Sequence, residues 1–147
     1  MFNKNELIKA AEEAGACKQK GISLISKANN INDLILLLKS PQGIEFCMSK
    51  KFPSVDFLKV FKKGLSKSSV FVDGTNNIKN PTFVVAFGGI SNIDLDGFNV
   101  CQVYATNDAN INIKARNNSI AYVELHNNAK MKVSEQDVGS KIKVYKK

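Results

Sequence analysis

From residue 83 onward the chain repeats itself at a step of close to twenty residues, and so short a step leaves few folds open to it. Val85 and Phe87 match Val103 and Ala105, then Val123 and Leu125; Ile93 and Leu95 match Ile111 and Ile113, then Met131 and Val133. The first offset is eighteen residues and the second is twenty, and Ile142 and Val144 fit the start of a truncated fourth unit. Each unit reads as an extended run, a turn of Asn, Gly or Asp, a second extended run and an Asn-rich turn. Thr106-Asn107-Asp108, Asn117-Asn118 and Asn127-Asn128 stand where tight corners need the left-handed backbone that asparagine tolerates. A β-solenoid of about three rungs follows, with like residues stacked into ladders. An antiparallel sandwich or meander also accommodates short strands at such spacing.

Stacking places Val85, Val103 and Val123 in one buried column, and puts Asp94, Asn112 and Lys132 on an external ladder. Alternation turns Tyr104, Tyr122 and Tyr145 outward, opposite in phase to Val103, Val123 and Val144. An exposed phenol can stack on a base or fill a partner's pocket.

The first third has the other periodicity. Asn3 or Asn5 caps a helix with Leu7, Ala10, Ala11 and Ala14 at spacings of three and four, and Gly15 and Gly21 break it before Ile22, Leu24 and Ile25. Asn30 or Asn32 caps a second helix, Asp33 to Lys39, whose leucine density predicts burial nearly all round. Ser40-Pro41 restarts a helix that carries Ile44, Cys47 and Met48 inward. Pro53 stops it, and Ser54 caps a last helix with the stripe Phe57, Leu58 and Phe61, closed by Lys62, Lys63 and then Gly64. Between Gly64 and Ser69 the period changes to two. The expected architecture is therefore α+β: a helical subdomain over residues 1–66 that caps a short β-solenoid over 67–147 and shares one core with it.

The chain has 147 residues, and its longest aliphatic run, Leu34 to Leu38, is far short of a bilayer span. Its start lacks the succession of a secretory signal, which leads us to expect a cytosolic protein. Cys17, Cys47 and Cys101 are odd in number and far apart, so buried reduced thiols are expected, without a disulfide framework or a metal knuckle. The single histidine, His126, is expected at a turn or on the surface. There is no nucleophile elbow, Gly-rich phosphate loop or zinc-protease motif, so no catalytic residue, metal or cofactor is expected. Asp94 and Asp96 share one outward face, and a small carbohydrate-active enzyme using them is the weaker alternative.

The formal charge of +8 comes almost wholly from lysine, Arg116 being the only arginine. That composition suits loose contact with a phosphate backbone better than base-specific readout. The first 80 residues carry +6 and the remainder +2. Lys50, Lys51, Lys59, Lys62, Lys63 and Lys67 gather around the last predicted helix, while Lys141, Lys143, Lys146 and Lys147 make a basic tail. With Tyr104, Arg116, Tyr122, Lys130, Lys132 and Tyr145, the six helical lysines and Lys143 form the candidate nucleic-acid or partner-binding set.

The stretch from Ser40-Pro41-Gln42-Gly43 through Ile44-Glu45-Phe46-Cys47, then Phe52-Pro53-Ser54, then Val70-Phe71-Val72-Asp73 leading into the Asn-rich rungs, resembles small proteins from phages and prophages of the Bacteroidetes. The resemblance implies a mobile-element origin and the helical-plus-solenoid layout, and it brings no catalytic residues. For a protein of that origin, the expected role is a monomeric inhibitor of a host defence nuclease. An anti-CRISPR protein acting on a type VI, RNA-targeting effector, through the effector or its RNA in the host cytoplasm, would suit it. The alternative is a virion or adhesin component with a glycan- or protein-binding solenoid face, for which outward Val84 and Ala86 are the hints.

Overall fold

A computed structural model describes residues 2–147 and divides the chain into two compact units, one ending at Ser68 and one running from Ser69 to Lys147. The expected boundary after residue 66 thus lies two residues later.

The first unit holds α1 (Lys4–Glu13), α2 (Gly21–Ser26), α3 (Ile31–Leu38), α4 (Pro41–Lys50), α5 (Val55–Lys59) and α6 (Lys62–Lys67). Its caps are the ones the sequence supplies. Asn3, Asn30, Ser40 and Ser54 each accept a hydrogen bond from the backbone N–H three residues on, satisfying a donor that would otherwise have no helical partner. Leu7, Leu34, Leu38, Met48 and Leu58 are fully buried.

Two expectations fail here. Leu36 is 69% exposed, so α3 is amphipathic and not buried all round: Leu34, Ile35 and Leu38 take the inner face and leave Leu36 opposite them. The last predicted helix is really two, broken at Val60–Phe61, and Gly64 lies within α6 instead of terminating it.

The second unit holds β1 (Val70–Phe71), β2 (Thr75–Lys79), β3 (Phe83–Ala86), β4 (Ile90–Asp96), β5 (Val100–Ala105), β6 (Asn110–Arg116), β7 (Ile120–Leu125), β8 (Lys130–Gln136) and β9 (Lys141–Lys146). Odd strands form one sheet in the order β1-β3-β5-β7-β9 and even strands form another, β2-β4-β6-β8. Every pairing is parallel, which gives a β-solenoid of about three turns and excludes the antiparallel sandwich. Corners turn as expected: Asn107, Asn117, Asn118 and Asn127 all have φ between 56° and 67°. Ile142 and Val144 pair with Ala121 and Val123, so the truncated last rung is present.

Register corrects the alignment by small steps. The column through Val103 and Val123 begins at Val84, not Val85, and the interior neighbours of Ala105 begin at Ala86, not Phe87. Val84 and Ala86 therefore point into the solenoid core with Cys101, Ala121 and Ile113, and the outward apolar pair expected of a virion or adhesin face does not exist. In the second sheet the step is fifteen residues from β2 to β4, where Ile78 pairs with Ile93, and twenty beyond it: Ile93 pairs with Ile113 and then Val133, while Ser91 pairs with Ile111 and then Met131. Asn92, not Asp94, stands in line with Asn112 and Lys132. The solenoid also begins earlier than its clear repeats, since β1 and β2 already pair in register with β3 and β4.

Candidate nucleic-acid interface

A parallel ladder brings side chains one rung apart to a spacing of ~4.8 Å and residues two apart along a strand to ~6.6 Å, so the outer faces are regular grids of functional groups. On the odd-strand sheet one outward column runs Phe83, Gln102, Tyr122, Lys143, and the next runs Val85, Tyr104, Glu124, Tyr145. Tyr122 and Tyr145 are 37% and 47% exposed, and Lys143, exposed, lies beside Tyr122 in register. One rung across and two residues along separates the two phenols by ~8 Å on the grid.

Tyr104 points outward in phase but is half-buried, its ring 5.5 Å from that of Phe83. Its hydroxyl lies 3.5 Å from the Gln102 amide oxygen. Glu124 separates it from Tyr145 in the column, so the three tyrosines do not form one platform.

The even-strand face carries an element that the sequence reading passed over. Asn112 Nδ2 donates to Asn92 Oδ1 at 2.8 Å, and Asn92 Nδ2 donates to Asn77 Oδ1 at 3.0 Å. These amides, with Lys79, Asp94, Lys114 and Lys132, line an open groove of about 520 Å³. The signal was the dipeptide Asn-Ile, which recurs at Asn77-Ile78, Asn92-Ile93 and Asn112-Ile113. In each pair the asparagine faces outward and the isoleucine inward.

Arg116 closes that face. Its Nη2 lies 2.9 Å from Asp94 Oδ1 and 3.8 Å from Asp96 Oδ2, and its Nε is 3.3 Å from Glu135 Oε2, although the last contact is a charge pair without hydrogen-bond geometry. The Asp94 hydrogen bond, reinforced by the neighbouring carboxylates, holds the guanidinium pKa above its ordinary value. Three carboxylates engage the sole arginine, and Asp94 and Asp96 in turn are committed to it. Arg116 thus serves the solenoid before any partner.

Lys130 and Lys132 are exposed on β8. In the helical unit Lys50, Lys51, Lys59, Lys62, Lys63 and Lys67 are all exposed. Lys50, Lys59 and Lys67 occupy the last turns of α4, α5 and α6, where the helix dipole favours a cation. Lys62 and Lys63 begin α6, the end at which a cation gains nothing from the helix.

His126 stands at a turn, as expected, its carbonyl accepting the Ala129 N–H at 3.2 Å, but it is buried and not on the surface. It belongs to the corner column Phe87, Thr106, His126, which is buried at each rung, and its Nε2 lies 3.3 Å from Glu124 Oε1. Cys17 is exposed, whereas Cys47 and Cys101 are buried and pushed up to about 12 by desolvation, which makes them inert thiols. No helix among the described residues is long and apolar enough to cross a membrane. No protein-family model matches the sequence, and neither a curated protein nor a solved structure matches it.

Proposed function

We propose that this chain is a non-enzymatic binding protein of a mobile genetic element that inhibits a host RNA-guided, RNA-targeting defence nuclease through contacts to the effector, its RNA, or both. The observation that carries the RNA component is the cluster Tyr122, Lys143 and Tyr145. Two exposed phenols offer stacking planes, and an ammonium beside one of them can meet the phosphate between stacked bases. Stacking of this kind tolerates any base, which agrees with a chain whose single arginine is engaged by carboxylates. The exposed helical lysines Lys50, Lys51, Lys59, Lys62, Lys63 and Lys67 add positive charge that favours the same partner. The protein acts in the host cytoplasm on this reading, as a monomer of 16.2 kDa.

A labelled single-stranded RNA tests it. Affinity should fall steeply, by tenfold or more between ~50 and 200 mM salt, if several lysines meet phosphates. Tyr122→Ala with Tyr145→Ala should remove ~1–3 kcal/mol per stacked base. Charge reversal at Lys59, Lys62 and Lys63 should weaken binding further. Unchanged affinity in the tyrosine pair would remove this face from the mechanism. For the target, the protein should suppress RNA cleavage by a purified type VI effector, and capture from host lysate with and without ribonuclease separates RNA-borne from protein-borne affinity.

A further inference from the structure

Strand β9 ends its sheet, and no strand among the described residues pairs with its outer edge. In a ladder, a residue's N–H and C=O point to the same side and successive residues alternate sides. The Lys141 and Lys147 amides donate to Ser119 and Leu125 oxygens, each at 2.9 Å, which assigns the odd-numbered residues to β7. Ile142, Val144 and Lys146 therefore direct their main-chain groups away from β7.

Side chains change character at the same edge. Ala121 and Val123 have no exposure, yet Val144, stacked on Val123, is 38% exposed, and Ile142 is only partly covered. Lys141 and Lys143 flank Ile142 and alternate with these apolar positions, Lys146 and Lys147 follow, and β8 ends the other sheet with Lys130 and Lys132. A second copy would bring the same lysines to the edge, and such charge on an edge strand opposes self-pairing. An acidic strand meets no such repulsion.

We infer that β9 is a docking edge for an extended, acidic segment of a partner protein, which adds a strand to the sheet. Main-chain bonds to Ile142, Val144 and Lys146 supply affinity. Valine-like residues over Ile142 and Val144, alternating with Asp or Glu beside Lys141 and Lys143, supply selectivity. The inference does not depend on the RNA reading, because the phenols of Tyr122 and Tyr145 lie on the sheet's face and the bonds described lie along its edge.

The probe is a short labelled peptide alternating glutamate with valine, with a lysine-for-glutamate version as its control. The acidic peptide should bind at least ~10-fold tighter than the basic one. It should also slow amide exchange at Ile142, Val144 and Lys146. Val144→Pro deletes an N–H that β7 does not use, so the fold stays intact and peptide binding is lost while RNA binding persists. Lys141→Glu with Lys143→Glu should reverse the peptide preference. Equal binding of both peptides, protection elsewhere in the chain, undiminished binding by Val144→Pro, or a stable dimer of the protein alone on gel filtration would each overturn the inference.

Discussion

Arg116 reaches across one rung to Asp94, twenty-two residues earlier, with Nη2 2.9 Å from Oδ1. In register its partner is Asp96, so the guanidinium leans diagonally and ties two positions of β4 to one of β6. With the side chains 38% and 37% exposed, water and salt screen the pair. Arg116→Met should lower stability slightly at low ionic strength, and most of that difference should vanish in high salt. Urea unfolding at two salt concentrations measures it.

The column Ile93, Ile113, Val133 offers a gradient of burial along one line of side chains. Ile113 has no exposure and Val133 is 39% exposed. Ile113→Ala should destabilise the protein by ~2–5 kcal/mol, as a cavity left in a packed core does. Val133→Ala should cost much less, and equal losses in thermal unfolding would contradict the burial.

Gly64 lies inside α6, and a methyl group added there meets nothing within 4 Å. Gly64→Ala should therefore stabilise the helical unit by ~0.5–1 kcal/mol, through reduced freedom of the unfolded chain and better helix propensity. Denaturant unfolding gives the sign directly, and a loss would show that the position needs glycine after all.

Asp137 Oδ2 accepts the Asn117 backbone N–H at 2.6 Å, and this bond, together with Ser140, draws the carboxyl pKa below its ordinary 3.8. A carboxyl depressed in the folded state contributes stability that is present above its unfolded value and disappears as pH falls through the folded one. The contribution should hold at neutral pH and fade only below about 3.8. Asp137→Asn should flatten the acid limb of the stability curve, and hydrogen exchange at Asn117 should quicken.

The helix starts were legible because each depends on one side chain that accepts from a nearby amide, as at Asn30 and Ser54. The break at Val60–Phe61 was not, because Phe57, Leu58 and Phe61 fit one continuous stripe equally well. Rungs were legible from recurring Asn corners and alternating Val and Ile. The slip between Val84 and Val85 arose because all four residues from Val84 to Phe87 are apolar and buried, leaving alternation nothing to mark. Even-strand positions slipped because Ser91, a buried polar residue, stands where later rungs place Ile111 and Met131. Among the proposed contacts, the outward phase of Tyr122 and Tyr145 could be read from spacing. The capture of Arg116 by Asp94 could not, since it depends on which rung each residue occupies.

From Val103 to Val123 and from Ile93 to Ile113 the step is twenty residues, and each turn shows its neighbour above the same pattern that it shows the one below. A twenty-codon duplication within this region would thus add a storey whose floor and ceiling already match, with no new interface to invent. Length is therefore a property that such a fold can change in increments of ~4.8 Å per rung.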